Sequence, residues 1–506
     1  VSPIALYRGV KAASRPARRQ QARRVFPIQV NCSMTIFRPA KPVRRAKSSS
    51  RPRPLMIAGV ILCAATSALE AQIPQLSFPP TGTLPNYDRV PIGQVEGLES
   101  GAFVARTGDA GSGWYNPAGL VLSEKSGLNA SSNAYELNSV TLEGFTTVKS
   151  GVRFSPIGTY FGAVLGAPVI HSPNFRLAFF YAKPVSWSPS LIDGTIRATN
   201  GPTTEFLGYS TTSNFSTITP GLAAGVRLSR SLRVGGGISL GMTNLQQQQT
   251  LSDRLISATS DTTGLRAVSV DGSTNQLLFT GGLQWDLGPK VKFGAMVVSP
   301  GVRMGGHSKM LYSLTGFSTN GSVDVVFRDE NARFEYRIPL RLTAGIAVIS
   351  GRFEFEGDVR YHGSTGAYEL LHTDVLANTI VTNAAGVPTI GTATFAAVSE
   401  QAKSVVNVAV GGSYGLSKVF RLHAGFFSDA SPVDDAAESA FRTVDLFGGS
   451  LGVSFTLGHL SGSLGAASSA GTTKDRTLGT SLGGLTATTR LKVTTFNFMY
   501  AISYKF

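Results

Sequence analysis

The chain closes on Thr494-Thr495-Phe496-Asn497-Phe498-Met499-Tyr500-Ala501-Ile502-Ser503-Tyr504-Lys505-Phe506. Every even position from Phe496 to Phe506 is aromatic or Ile, while the odd positions carry Asn497, Met499, Ala501, Ser503 and Lys505. Successive side chains of a strand point to opposite faces, so this segment has one aromatic face and one small or polar face. A soluble sheet with one face on a core would show the same alternation. Six large apolar residues in one row, ending on Phe, fit a lipid-facing barrel strand better. The expected fold class is therefore all-β, a transmembrane antiparallel β-barrel.

The front of the chain agrees. Arg44, Arg45, Lys47, Arg51 and Arg53 precede the apolar run Leu55 to Ala65, and Thr66-Ser-Ala-Leu-Glu-Ala71 leads into Gln72. That is the tripartite pattern of a secretory signal, with cleavage expected after Ala71, and residues before about Met34 or Met56 read as an over-extended start. The apolar run is too short to span a bilayer as a helix. Residues 1–71 hold 14 of the 46 lysines and arginines and one of the 30 acidic residues, so the remainder carries only about +3. The high pI belongs to the leader and gives no reason to expect nucleic acid. Cys32 and Cys63 lie there too, and a thiol-free mature chain suits an oxidising compartment. The rest has no apolar run long enough for a membrane helix, so a membrane-spanning form must be a closed barrel.

Six short turn signals follow residue 120: His171 to Asn174, Ser229 to Ser231, Leu287 to Lys290, Ser350-Gly351, Leu416 to Lys418 and Gly458 to Leu460. Each separates alternating or Val/Phe/Leu-rich runs, as in hairpins. Polar stretches near 137–152, 188–211, 249–274, 309–332, 369–399, 428–441 and 473–489 read as longer loops. Short turns at one end and long loops at the other predict fourteen strands, with both chain ends on the short-turn, periplasmic side. Gln246 to Gln249 reads as a solvated strand end.

In the hairpin around Ser350-Gly351, Ile338, Leu340, Leu342, Ala344, Ile346 and Val348 share one face, opposite Arg337, Arg341 and Thr343. Beyond the turn, Phe353, Phe355, Val359 and Tyr361 oppose Glu354, Glu356, Asp358, Arg360 and His362. The charged row is expected to line the lumen, with Arg341 reaching Asp358 diagonally. A one-residue slip would put the acids in lipid, so the register should be firmly set.

Between residues 101 and 120, small residues dominate and Trp114-Tyr115-Asn116-Pro117-Ala118-Gly119 makes a rigid bend. This stretch, with Phe103, resembles the N-terminal hatch of the FadL-type outer-membrane transporters of long-chain fatty acids and hydrocarbons. Gly425 to Val433, and Arg337-Ile-Pro-Leu340 followed by Glu356 to Tyr361, are similar to further segments of that family. The terminal Phe506 likewise resembles the signal by which the assembly machinery recognises outer-membrane barrels. The resemblance spans about 97–506 and implies a fourteen-stranded barrel whose lumen is closed by the hatch. With the leader (1–71), the expected division is a Pro-rich segment (72–96), in which this chain departs from the family, then a hatch (97–124) and a barrel (125–506). The resemblance also implies sideways release of cargo beside a kink in strand three, where Pro184 falls in a strand-like run; the residues alone equally allow Pro184 just beyond the strand, at the start of the extracellular loop. Proline cannot donate to the ladder.

Gly-x-Ser-x-Gly occurs at 411–415, 448–452 and 479–483, but two copies fall in expected strands and one in a loop, none at the strand-to-helix turn that gives the motif its chemistry. The six histidines are scattered without metal-type spacing, and His362 beside Glu356 and Asp358 reads as a lumen hydrogen bond. No enzyme activity, cofactor or metal is expected. The resulting expectation is a passive channel in the outer membrane of a Gram-negative-type bacterium, taking hydrophobic small molecules, with outer-membrane lipid and the assembly machinery as its other partners. The alternatives are a general porin or structural barrel, a lipid-modifying enzyme with a Ser/His/acid cluster at the membrane face, and an adhesin or phage receptor acting through the long loops.

Overall fold

In the last strand, Thr486–Lys505, the even row from Phe496 to Phe506 is 39–56% exposed while Asn497, Met499 and Ala501 are buried. The same alternation organises the whole wall in the structure, a computed structural model. It describes residue 76 and residues 83–143, 157–188, 192–200, 203–259, 261–434, 441–473, 476–479 and 486–506. The expected leader and its cleavage point lie outside these residues. Among the described residues the strand segments close into a fourteen-stranded antiparallel barrel. No described helix is long and apolar enough to cross a membrane.

Strands one to six are Gly127–Glu143, Ile157–Leu165, Phe175–Trp187, Thr203–Arg227, Leu232–Ile256 and Asp261–Asp286. Strand seven is broken into Val291–Val298 and Val302–Ser318, and strand eight into Gly321–Phe334 and Arg341–Ser350. Strand nine comprises Phe353–His362 and Thr365–His372, and strand ten Val398–Ala402 and Val405–Gly415. Strands eleven to thirteen are Phe420–Asp429, Leu446–Leu457 and Leu460–Thr472. The ring closes where strand one meets strand fourteen, from Gly127 opposite Lys505 to Glu143 opposite Arg490. All six expected short turns fall between consecutive strands; Gly351 (φ +61°) and Gly458 (φ +60°) supply the left-handed conformation two of them need.

Several expected loops are largely strand instead: in 188–211, Ile192–Asn200 pairs with the first residues of strand four. Residues 249–274 continue strands five and six, which respectively end at Ile256 and begin at Asp261, and 309–332 continue strands seven and eight to a turn at 319–320. Gln246 to Gln249 therefore sit within strand five, Gln247 and Gln249 turned inward and buried. The outward row explains the misreading. On strand six, outward Trp285, Phe279 and Leu277 give way above to Asn275, Ser273 and Asp271. On strand five, Ile238, Leu240 and Met242 give way to Asn244, Gln246 and Gln248. The apolar stretches are about ten residues long, close to the 25 Å band of an outer-membrane barrel. Strands five to eight run on beyond it. Ile338 and Leu340, expected on the lipid face, instead lie in the 335–340 break, and Ile338 packs inward against Leu278 and Met296.

The lumen is filled. A short 3-10 turn Gly97–Glu99, a one-turn helix Ser112–Tyr115 and a 3-10 helix Pro117–Leu122 form a hatch near the short-turn end. Ahead of it an extended strap threads the barrel. Leu76 pairs with Phe395 in the long connection between strands nine and ten, the Thr83 carbonyl accepts from Arg442 N (3.0 Å), and Asn86 donates to the Asp429 and Val444 carbonyls (2.9 and 3.0 Å). The first described residues lie at the long-loop end and the strap descends from there to the hatch; the expected placement of the N-terminus lies outside the described residues. Around the upper strap, Trp187, Phe215, Phe327, Phe334, Phe395 and Phe441 form one buried apolar cluster.

Candidate functional site

The hatch owes its shape to Asn116. Its backbone is extended (φ −170°, ψ 106°), ending one helix and starting the next. Pro117 suits the first helical position because its missing N–H would have no partner there. The Asn116 side chain accepts from Ala118 N (3.2 Å) and donates to Val104 O (2.8 Å), Leu283 O (2.9 Å) and Ala295 O (3.3 Å). One amide thus ties the hatch to itself and to strands six and seven. The wall lets it come close only where side chains are missing: a Cβ on Gly282 would lie 2.2 Å from Asn116 Oδ1, and one on Gly235 2.3 Å from the Pro117 carbonyl carbon. Gly119 is equally constrained, its Cβ position 2.2 Å from Thr107 O.

Charge completes the docking. Fully buried Arg106 lies over the Phe103 ring (3.9 Å) and pairs with Glu99, with Glu356 (2.9 Å) and with Glu354 (3.4 Å). Glu356 also accepts from Ala105 N (2.6 Å), Asp358 from Phe103 N (3.0 Å) and Val104 N (3.3 Å), and Arg360 donates to Gly101 O (2.6 Å). The inward charged row of strand nine is thus a dock for the hatch, and a hatch arginine neutralises part of it. Glu96 and Asp109 meet at the hatch's other side. Burial pushes the Glu96 carboxyl well above its usual range and the Asp109 charge adds to this; burial raises Asp109 as well.

Two expected placements are corrected. Arg337 does not line the lumen: its side chain is 45% exposed and pairs with Glu335 (2.8 Å), beside the outward-facing Arg333. The backbone leaves the strand at 335–340, so the alternation assumed for Arg337 does not reach it. Arg341 does not pair with Asp358, which sits opposite Gly345, four residues further along. Arg341 instead lies over the Trp114 ring (4.5 Å), its Nε buried without a hydrogen-bond partner among the described residues.

Sequence reasoning missed a hydrogen-bonded chain. Glu99 Oε1 is 2.7 Å from His423 Nδ1, and His423 Nε2 is 2.7 Å from Ser454 Oγ. The order matches a hydrolase triad, but all three residues are buried, Glu99 is shared with Arg106, and Ser454 lines neither cavity described below. Its evident role is to hold the hatch to strands eleven and twelve. The Gly-x-Ser-x-Gly segments serve the same contact: a Cβ on Gly411 would lie 2.4 Å from Glu99 O, and Ser450 Oγ donates to Leu98 O (2.8 Å). The copy at 479–483 lies mostly outside the described residues. Among the described residues no group of three or more His, Cys, Asp or Glu is placed to hold a metal ion.

Above the hatch, Trp114, Phe180, Pro184, Val185, Leu278 and Ile338 line an apolar cavity of about 70 Å³, with Arg341, His362 and Tyr87 at its polar side. A second, more polar cavity of about 50 Å³ also borders Arg341 and the strap. A water needs roughly 10–15 Å³ of such space, so the apolar cavity is a handful of waters in size. Pro184 lies at a bulge. Ala182 pairs with Thr219 and Val185 with Thr217, leaving Lys183 and Pro184 together opposite Ile218. On the other side, pairing with strand two runs from Leu177 to Ala182 and, among the described residues, goes no further. Among the described residues the ladder is therefore interrupted on both sides of Pro184, beside the apolar cavity.

No protein-family model matches this chain and no curated protein matches it. Solved structures do. A Pseudomonas aeruginosa FadL homologue superposes with TM-score 0.53 at 13% identity, covering 83% of this chain and 100% of that one. The P. putida toluene transporter TodX gives TM-score 0.53 at 13% identity over 82% of this chain and 98% of that one. At such identity the likeness is one of fold.

Proposed function

We propose that this chain is an outer-membrane channel for passive passage of hydrophobic small molecules, and that the preferred cargo carries an anionic head, as a long-chain fatty acid does. The observation that carries the reading is the apolar cavity bounded by Trp114, Phe180 and Pro184, with the Arg341 guanidinium at its edge. A purely apolar cargo gives no reason to aim a cation with an unused, buried Nε donor at the cavity, since a buried polar group left unbonded is costly. The fold likeness to a FadL homologue and to a toluene transporter supports the class of cargo. Capture needs no energy source: each buried methylene contributes about 0.8 kcal/mol. Phe506 and the aromatic row before it support recognition by the barrel-assembly machinery.

Binding of oleate to the purified barrel tests this reading. Arg341→Ala should weaken it on the order of tenfold to hundredfold, the 1.5–3 kcal/mol of a charge-assisted hydrogen bond, and leave octadecane binding nearly unchanged. Equal loss for both probes would remove the head-group assignment. A general porin would instead admit small polar solutes in liposome swelling, which the filled lumen should prevent.

The exit assigned by this reading is the bulge in strand three. Pro184→Val restores an N–H that can join the ladder, worth about 0.5–1.5 kcal/mol net. Cellular uptake of a labelled fatty acid should slow roughly twofold to tenfold, with binding in detergent intact. Unchanged uptake would move the exit elsewhere.

A further inference from the structure

The strap carries a carboxylate into the same place. Asp88 Oδ2 is 2.9 Å from His362 Nε2 and accepts from Asn407 Nδ2 (2.7 Å), and Asp88 Oδ1 is 3.4 Å from Arg360 Nη1. All three partners belong to the wall, on strands nine and ten. Tyr87 stacks on His362 with ring centroids 4.6 Å apart, and its N–H donates to Asp429 (3.2 Å). Burial alone would raise the Asp88 carboxyl, but His362 and Arg360 hold it well below the usual range, so it is ionised. The wall thus presents a carboxylate cradle of two hydrogen-bonding side chains, His362 and Asn407, and one guanidinium, Arg360, and an extended, non-helical segment fills it.

Two facts argue that the occupant is exchangeable. His362 and Tyr87 also line the apolar cavity, beside Arg341, so a head group of a molecule lodged there would reach the cradle. The cavity itself, about 70 Å³, falls far short of the 300–1,000 Å³ of ordinary ligand pockets. A long acyl chain lodged in this cavity would have to displace the strap, whose Tyr87 lines it.

We propose that Asp88 is a built-in stand-in for the cargo's head group. The His362–Asn407–Arg360 cradle is a carboxylate site for an amphiphilic cargo, and its transfer from Asp88 to the cargo releases the strap and opens the lumen. This rests on the cargo reading above and goes beyond it by naming the site and the competitor. A neutral hydrocarbon has nothing to offer the cradle and should leave the strap in place.

The test uses the full-length protein in lipid nanodiscs, with oleate and octadecane as probes. Removing an internal competitor raises apparent affinity by the reciprocal of the competent fraction. Asp88→Ala should therefore bind oleate at least about tenfold more tightly if the strap is seated nine-tenths of the time, with octadecane little changed. Because that variant removes a buried carboxylate partner of Arg360 and His362, Leu84→Cys gives a second readout on an otherwise native strap. Leu84 is fully buried; saturating oleate should speed reaction of the introduced thiol with a maleimide about tenfold or more, by the same population shift, and octadecane should not. Oleate affinity indifferent to Asp88→Ala, or labelling indifferent to oleate, overturns the stand-in. If neither probe binds any variant, the cargo reading falls and takes this one with it; if octadecane alone binds, the anionic head group and the carboxylate site are lost and the hydrophobic channel stands.

Discussion

Replacing Arg106 by alanine should undock the hatch. The guanidinium is buried among Glu99, Glu354 and Glu356, and two of those side chains are fully buried with it. Removing one partner of a buried ion pair typically costs about 3–5 kcal/mol, because the remaining charge is left uncompensated. Here the stranded group is a cluster of acids that also meets Asp358. Protection of the Phe103 to Ala105 amides against hydrogen exchange should drop roughly a hundredfold to a thousandfold, and conductance of single barrels in planar bilayers should rise. The barrel should stay folded, since the wall ladders do not pass through Arg106. Arg421→Ala is the control: its bond to Glu354 (2.8 Å) lies between part-exposed side chains, and such pairs contribute about 0–1 kcal/mol. Equal effects from the two variants would mean the hatch is held by packing and by Asn116.

What the sequence disclosed and what it hid divide along the membrane. Where lipid meets the wall, one row must be apolar, and the period of two is visible; the aromatic row at 496–506 and the six short turns could be read directly. Beyond the apolar band, strands five to eight meet water outside and other residues inside. Both rows can then be polar, as at Gln246 to Gln249, and the segment looks like a loop. The strap was hidden for another reason. An extended Pro-rich segment has no period, and its partners are remote: Asp88 lies 274 residues from His362 and Thr83 lies 130 from Ser213. The charged row on strand nine was legible as lumen-facing, but not its partner, since Arg106 looks like any lone arginine among small residues. Arg337 failed because alternation was carried across 335–340, where the strand is broken.

Ile346→Arg should be the most damaging single change on the outer wall, and the contrast with Leu265→Arg locates the membrane. Ile346 is 54% exposed in the outward row of strand eight, between Phe293 and Gly357 on the neighbouring strands. Leu342 and Val348 flank it in the same row. An arginine at the midplane of a lipid-facing barrel surface costs about 2–4 kcal/mol, falling toward 0–1 near the interfaces. Leu265 is nearly as exposed, at 49%, but it lies on strand six twelve residues above Leu277, where the apolar row has ended. There arginine meets water, and surface substitutions usually stay within about 0.5 kcal/mol. Urea unfolding in lipid vesicles, followed by heat-modifiable mobility, measures both. In the absence of lipid the two positions look alike, each a large apolar side chain on an outward row. Only a bilayer seated on the short-turn half makes one substitution costly and the other nearly free, so equal costs would show that the apolar band has been placed at the wrong height.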